Sequence, residues 1–422
     1  MSAAPELGQS FKGWLYRPYL DLGPLPPQPA FQVTALDYDY RAVTQDIRLP
    51  RLQSSANASF KEALITTTGL FRYDVSDPRE LPQELRTQRW NTLCQFVADF
   101  PDLDAAHQVR LGWLLSNLCF YPLVLRMIPQ DVEQRVGEHP DTASLAYLRS
   151  WCRYRMWLDG VDTGYSLAEF QRIAENAPPG YAAVDAHYQM VAQNAKRLRD
   201  AGACEHWQPL HAKSLERASA ELSDFETGLL RSRYHRAGGF LPQLRGDRAG
   251  VISEMARAEE IARSLDRSTQ TLADAADEML YPCVQSRMQE AIWLGETTLA
   301  LERADEYIAM APTDPRGWLH KGEILIGADE LEGALHCFRR AARYAPPGEE
   351  VALFMAGQCL EAAGDIESAF DAYLGALRID PMGTSTVEAL AGLAESVGHK
   401  AVLDWLHGLP GYLEPAERTD DE

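Results

Sequence analysis

Apolar residues along this chain take on the spacing of helices from about residue 77 onward. Leu81, Leu85, Leu93, Phe96 and Phe100 recur at intervals close to three or four residues, which places them on one face of a helix. Further helical segments follow, separated by short breaks, at 107–121, 142–158, 166–177, 181–198 and 212–236. A capping-box pattern, a serine followed three residues later by a glutamate, opens the segment at 166–177. This succession, with few strand signals, predicts an all-α protein.

The N-terminal region lacks this helical pattern. Four prolines between residues 24 and 29 form a break, and residues 31–50 alternate loosely in polarity and are rich in Tyr, Val, Ile and Thr. Such composition predicts a short extended segment or hairpin. We therefore treat residues 1–76 as an N-terminal extended or irregular segment, and residues 77–231 as a helical domain of undetermined family.

Two consecutive segments share seven matching positions at a spacing of 35 residues. The first segment carries Trp318, Gly322, Leu325, Ala334, Phe338, Ala341 and Pro346. The second segment carries Leu353, Gly357, Leu360, Ala369, Tyr373, Ala376 and Pro381. Each position has a steric reason, because small residues let two helices approach, the aromatic residue fills the gap between them, and the proline ends the second helix. The matches predict two helical hairpins between residues 315 and 381.

Weaker copies of the pattern flank these two. A copy beginning at Tyr281 keeps a glycine at its turn and a closing Pro312, but has Met288 where a small residue is expected. A copy beginning at Ser232 matches at several positions, namely Gly239, Gly246, Asp247, Met255 and Ala258. Residues 387–409 indicate a final capping hairpin. The repeat region is therefore predicted at 232–410, followed by an acidic tail at 411–422.

This pattern resembles the tetratricopeptide-repeat (TPR) superfamily, most clearly at 315–381. The resemblance implies a superhelical array of helix–turn–helix hairpins, whose concave groove binds a peptide or a helix of a partner. The family's groove positions correspond here to Gln289, Trp293, Arg316, Leu319, Glu323, Phe354 and Gln358. These residues lack the Lys, Asn and Arg set with which chaperone-binding members clamp a terminal carboxylate, so we expect an internal peptide segment or a helix. Alternatively, some of them pack against the N-terminal part of this chain.

Charge and composition narrow the choice of partner and compartment. The net charge is −21 and the pI about 4.9, which disfavours nucleic acid and anionic membranes as partners. The N-terminus lacks a basic and then apolar signal peptide, and the apolar run at 110–126 is too short to cross a bilayer. The seven cysteines include no CxxC pair, as expected of reduced thiols in a cytoplasmic protein. The excess of Arg over Lys indicates a GC-rich bacterial genome.

The segment 231–248 gathers basic residues in an otherwise acidic chain. Its candidates for contact with an anion or an acidic peptide are Arg233, His235, Arg236, Arg245 and Arg248, since guanidinium groups bind carboxylates and phosphates in a two-point fashion. The alternative, which we favour, is a solvated helix face with Asp and Glu partners on the next helix.

No metal, cofactor or catalytic motif is evident in the sequence. Cys204, His206 and His211 lie close together, but their spacing fits no common zinc pattern. We therefore expect no metal and no cofactor, and name no catalytic residue. The leading interpretation is a protein- or peptide-binding scaffold without activity of its own. The alternative is an enzyme, or an essential enzyme component, that holds a peptide in the groove and modifies it, as in bacterial peptide natural-product tailoring. Nothing in the sequence indicates an oligomeric state.

Overall fold

The structure, a computed structural model, describes residues 40–44 and 76–408 with the exception of 159, 162, 313, 346, 347 and 382. The acidic tail and most of the predicted extended segment at 31–50 therefore lie outside the described residues. Residues 40–44 of that segment are helical rather than extended. Val43 is buried in the core and the Ala42 carbonyl accepts a hydrogen bond from Arg110 at 3.3 Å, so tertiary contacts favour the helical turn.

All regular elements in the described part of the chain are helices, as the sequence predicts. The helices before residue 312 are α1 Gln88–Ala98, α2 Ala105–Asn117, α3 Tyr121–Met127, α4 Pro140–Leu158, α5 Leu167–Asn176, α6 Tyr181–Gln193, α7 Ala201–Ala218, α8 Asp224–Gly238, α9 Phe240–Leu244, α10 Arg248–Ser264, α11 Gln270–Leu294 and α12 Thr297–Met310. The helices after it are α13 Pro315–Gly327, α14 Leu331–Tyr344, α15 Glu349–Ala362, α16 Ile366–Ile379, α17 Thr384–Val397 and α18 Lys400–His407. A short π-helical turn, Asn194–Leu198, extends α6.

Buried aromatic rings hold the N-terminal helices together. Tyr147 of α4 contacts Trp113 of α2 and Phe170 of α5, with ring centroids 6.0 and 5.3 Å apart. Trp90 of α1 is fully buried, and its indole N–H donates to the Pro78 carbonyl at 2.8 Å. Burying large rings contributes most of the apolar stabilisation of such a core, and each ring pair adds about 0.5–1.5 kcal/mol. The helices up to α6 thus enclose one continuous apolar core.

A single helix is expected across residues 212–236, whereas the structure has two. α7 ends at Ala218 and α8 begins at Asp224. Ser223 and Glu226 form a capping box, in which the serine hydroxyl accepts the Glu226 backbone N–H and the Glu226 carboxylate accepts that of Ser223. The signal was present in the sequence, but the run of helix-forming residues around it concealed the break.

The repeat helices form antiparallel hairpins that stack in order of sequence, with α14 packed against both α13 and α15. In each hairpin an aromatic ring of the second helix lies on a glycine of the first. A Cβ at Gly322 would lie 2.6 Å from the Phe338 ring, and one at Gly357 would lie 2.6 Å from the Tyr373 ring. The absence of a side chain at these glycines sets the distance between the two helices. We call this the glycine–aromatic contact.

Two earlier helix pairs use variants of the same contact. Gly239, at the end of α8, faces the side chain of Met255 on α10. In the copy beginning at Ser232, these two residues occupy the glycine and the aromatic positions of the pattern. In the pair α11–α12 the sizes are exchanged, because Met288 stands at the glycine position and Ala304 at the aromatic position, and both are fully buried. The ring is then supplied by Tyr307, which stacks on Tyr281 with centroids 4.0 Å apart. The residue at a single position therefore does not decide whether a hairpin packs.

One helix runs through the expected start of a repeat. α11 continues from Gln270 to Leu294 although Pro282 lies inside it. Proline in a helix interior removes one backbone hydrogen bond and costs about 3 kcal/mol. Residues on both sides of it, Leu280, Tyr281 and Cys283, are buried, so packing keeps the helix continuous.

The described residues form two compact units. Those up to Ala311, which include α1–α12, make up the first unit, and those from Pro312 onward, with α13–α18, make up the second.

The glycine–aromatic contact generates a testable prediction about stability. Gly357→Ala should lower the free energy of unfolding by about 1–3 kcal/mol, because the new methyl group clashes with Tyr373 and overpacking outweighs the better helix propensity of alanine. The midpoint of urea unfolding, followed by circular dichroism, measures the change.

Gly392→Ala on α17 is the matched control, because a Cβ at that glycine meets no atom within 4 Å. This variant should gain up to about 1 kcal/mol from helix propensity alone. Equal shifts of the two midpoints would contradict the steric role of Gly357.

Candidate functional site

A cavity of about 300 Å³ opens beside α11 in the first unit. Three residues of α11 at one- and two-turn spacings line it: Gln285, Gln289 and Trp293. Arg236 from the last turn of α8 and Lys196 from the π-helical turn also line it. The cavity thus brings together two predicted groove residues, Gln289 and Trp293, and one predicted anion contact, Arg236, that are separated by about fifty residues of sequence.

The two cations at this cavity are held by neutral partners. Lys196 Nζ lies 4.9 Å from the centre of the Phe240 ring, and Arg236 Nε donates to the Ser286 hydroxyl at 3.2 Å. Among the described residues, neither has a carboxylate oxygen within 4.0 Å. The carboxylate in the lining, that of Glu290, accepts hydrogen bonds from Arg287 at 2.5 and 2.7 Å, so its charge is already compensated.

The same two cations act on Tyr188, a partly buried tyrosine of α6. Burial by itself would raise the pKa of Tyr188, yet Arg236, Lys196 and Arg233 lower it below its ordinary value. Nearby positive charges stabilise the ionised phenol of Tyr188, and this effect outweighs the effect of burial on its pKa.

The other members of the basic segment 231–248 point elsewhere. Arg233 forms a buried ion pair with Asp185 at 2.5 Å, His235 contacts Glu254 at 2.8 Å, and Arg245 pairs with Glu205. The guanidinium of Arg248 donates to the Leu294 carbonyl. Arg233, His235 and Arg236 contact different neighbours of α8. Arg245 and Arg248 lie beyond the end of that helix, so the structure does not assemble the five candidates into one anion site. Three of them do have acidic partners on neighbouring elements.

The predicted groove residues of the second unit lie on the first helices of its hairpins. Glu323 and Gln358 are exposed, and Leu319 and Phe354 are partly buried. Leu319 on α13 is equivalent to Phe354 on α15, and Glu323 is equivalent to Gln358. Each of the two helices therefore presents an apolar side chain followed by a polar one. Arg316 is bound to its own helix-capping residue, because its guanidinium contacts the buried carboxylate of Asp314 at 2.6 Å. It therefore stabilises the start of α13 as well as lying on this face.

A second cavity, of about 730 Å³, lies between α7, α8 and α10. Arg231, His235 and Arg257 supply basic groups to its lining, and Glu216, Asp224 and Asp266 supply acidic ones. The lining thus contains three basic and three acidic residues.

The sequence did not reveal a buried polar cluster around α6. Asp185 is fully buried beside Arg233, whose guanidinium also lies 4.9 Å from the centre of the Tyr188 ring. His187, two residues from Asp185, turns the other way and contacts the Ala183 carbonyl at 2.8 Å. The sequence does not show that a charged residue in the middle of a helix is buried, because its burial depends on the residues that pack against it.

His211 is the most strongly perturbed member of this cluster. It is 1% exposed, and burial, with His187 and Arg233 nearby, lowers its pKa from 6.5 to about 3. Cys204 and His206, its neighbours in sequence, do not join it in a metal site: among the described residues no group of three or more His, Cys, Asp or Glu side chains is placed to hold a metal ion. The Cys204 thiol is buried and lies 3.7 Å from the Val191 carbonyl.

Part of this chain is similar in sequence to a known protein. No family model matches the chain. Over 85 residues, 20% of this chain and 10% of the relative, it is 31% identical to tetratricopeptide repeat protein 7A of Homo sapiens. The chain therefore spans about a tenth of the length of that relative.

Solved structures of low sequence identity are similar over longer stretches. Human IFIT1 in complex with m7Gppp-AAAA has a TM-score of 0.49 at 16% identity, covering 90% of this chain and 92% of that one. YrrB, described as a TPR protein with an unusual peptide-binding site, has a TM-score of 0.31 at 16% identity, covering 47% and 96%.

The stacked hairpins with their glycine–aromatic contacts, together with the similarity to a curated TPR protein, define a helical-repeat scaffold of the kind that presents binding surfaces. This chain therefore contains an array of helical hairpins that is similar to part of a tetratricopeptide-repeat protein. No helix in the described ranges is long and apolar enough to cross a membrane.

The buried His211 predicts a pH dependence of stability. Its pKa is lowered in the folded state, so below its ordinary value of 6.5 the unfolded chain binds a proton that the folded chain does not. The free energy of unfolding should therefore fall as the pH drops from about 6.5 towards 3, by at most about 1.4 kcal/mol per pH unit. Urea unfolding between neutral and mildly acidic pH measures this slope.

His211→Phe keeps a ring beside Tyr234, whose ring centroid lies 5.1 Å from that of His211, and removes the titrating group. We expect a shallower loss of stability on acidification in this variant. Parallel curves for the variant and the wild type would show that His211 does not contribute.

Proposed function

We propose that this protein is a scaffold that binds a peptide segment or a helix of a partner protein on the first helices of its repeats, without chemistry of its own. The observation that carries the proposal is the repetition on α13 and α15. On α13, the partly buried Leu319 is followed one turn later by the exposed Glu323. On α15, the partly buried Phe354 and the exposed Gln358 occupy the same two positions. A regular row of this kind suits an extended peptide or an amphipathic helix.

Apolar exposure on these helices supports the same reading. Val351 at the start of α15 is 42% exposed, and in the first unit Trp293 is 36% exposed on α11. Tryptophan is among the residues that contribute most binding energy in protein interfaces. The mixture of apolar and amide groups offers both burial and hydrogen bonding to a peptide backbone.

A peptide fits this chain better than a nucleic acid does. The IFIT1 structure contains a capped RNA, but a chain of net charge −21 lacks the broad basic surface that phosphate backbones require. The smaller cavity is lined by two cations, Lys196 and Arg236, which matches one acidic group rather than a polyanion.

The enzymatic alternative requires contacts for a peptide substrate, and Arg245 and Arg248 of the basic segment are two candidates for them. Both are engaged within the protein, with Glu205 and with the Leu294 carbonyl. Their positions favour a structural role, and we therefore propose binding rather than catalysis.

Panning of a random dodecapeptide display library on the full-length chain tests this function. The double variant Glu323→Lys with Gln358→Lys should bind the recovered peptides at least about tenfold more weakly, equivalent to about 1.4 kcal/mol. Both side chains are exposed, so the substitutions leave the core intact. Fluorescence anisotropy with a labelled peptide measures the affinity, and circular dichroism verifies the fold.

The matched control is Glu332→Lys with Glu367→Lys. These exposed residues are also 35 positions apart, but stand on the second helices, α14 and α16. Unchanged binding in the control supports the proposed face. Equal losses in both double variants, or recovery of no peptide by the wild type, would overturn the proposal.

A further inference from the structure

Lys196 and Arg236 form a pair of cations without acidic partners in a chain that has 61 acidic and 40 basic residues. Elsewhere in the same unit, three buried or half-buried arginines do have carboxylates: Arg233 has Asp185, and Arg287 and Arg303 share Glu259. Within the described residues, Lys196 and Arg236 have none within 4.0 Å. The chain has many carboxylates, yet none of those described neutralises these two cations. Because both cations line a cavity, we infer that an anionic ligand binds there.

Each of the two cations makes a contact within the protein that orients it. Phe240 lies beneath the Lys196 ammonium at 4.9 Å, and the Arg236 Nε–H is held by the Ser286 hydroxyl at 3.2 Å. Ser286 in turn donates to the Pro282 carbonyl at 2.8 Å, so its lone pairs face the guanidinium. The remaining N–H groups of Arg236 stay available for a two-point contact with a carboxylate. Such positioning before binding reduces the entropy that a ligand must overcome.

The rest of the lining selects for a side chain rather than a bare ion. Val251 and Met255 contribute apolar groups, Trp293 stands at the edge, and Gln285 and Gln289 contribute amides. The volume of about 300 Å³ is at the lower end of the range for small-molecule sites. An aliphatic stem that ends in one carboxylate matches this combination of apolar wall, amides and two cations.

We propose that this cavity binds an acidic side chain, Asp or Glu, of a peptide ligand. Arg236 and Lys196 take the carboxylate, and Trp293 and Met255 cover the stem. The inference rests on the proposed function, because it takes the ligand to be a peptide. It adds a subsite in the first unit, formed partly by residues that precede the predicted repeats, and it specifies a charge that the peptide must carry.

A double-mutant cycle on the full-length chain tests the subsite. Peptides recovered from the display library are synthesised with amidated C-termini, so that any carboxylate comes from a side chain, and each acidic residue is changed to its amide. In the wild type, replacement of the critical acid should weaken binding about 10- to 100-fold, the usual range for a hydrogen bond between charged groups. In the variant Lys196→Gln with Arg236→Gln, the same replacement should have little further effect.

Two further variants separate binding from folding. Lys196→Gln by itself changes an exposed residue, so its loss of affinity does not arise from the core. Arg172→Gln on α5 is the control, because Arg172 is exposed, has no carboxylate within 4.0 Å among the described residues, and lines neither cavity. Arg236→Glu should reverse the preference and select peptides with Lys or Arg at the critical position.

The outcomes distinguish the subsite from the proposed function. Peptides that depend on Glu323 and Gln358, but not on Lys196 or Arg236, would overturn the subsite and leave the scaffold function standing. Recovery of no peptide would overturn both. Binding of a 5′-triphosphorylated RNA of four adenosines that is lost in the double glutamine variant would assign the cations to nucleic acid and also overturn the subsite.

Discussion

The contact between a glycine of one helix and an aromatic ring of the next determines the geometry of the repeats. Gly322 under Phe338 and Gly357 under Tyr373 allow the two helices of each hairpin to lie close together. The equal spacing of these contacts along the chain makes consecutive hairpins alike. Since each hairpin docks on the next in the same way, the outward positions of the first helices also recur, and the proposed binding surface follows from this packing constraint.

The same constraint is satisfied by different residues in the first unit. Met255 faces Gly239, and the pair Met288 and Ala304 exchanges the large and small positions, while Tyr281 and Tyr307 supply the stacked rings. Interiors are close-packed, so what matters is the summed volume across the interface rather than the residue at one place. These variants explain why the flanking copies match the pattern weakly and still form helix pairs.

The helix α8 shows how one basic segment serves several purposes. Its turns send Arg233 inward to Asp185, His235 towards Glu254 and Arg236 into the smaller cavity. Arg233 cannot be exchanged for an uncharged residue without leaving a buried carboxylate, whose desolvation would cost several kcal/mol. Arg236, by contrast, has a hydroxyl as its partner and keeps its charge available. Burial and pairing therefore separate structural arginines from the one suited to a ligand.

The sequence by itself determined the helical class and the two clear hairpins, because helix periodicity, caps and the glycine–aromatic spacing are local signals. It also identified Gln289, Trp293 and Arg236 as individual candidates. Only the tertiary structure brought these three into one cavity, added Lys196, and showed that Arg233, Arg245 and Arg248 have partners within the protein. The physical reason is that burial, ion pairing and the shape of a cavity depend on residues far apart in the chain, which no local pattern encodes.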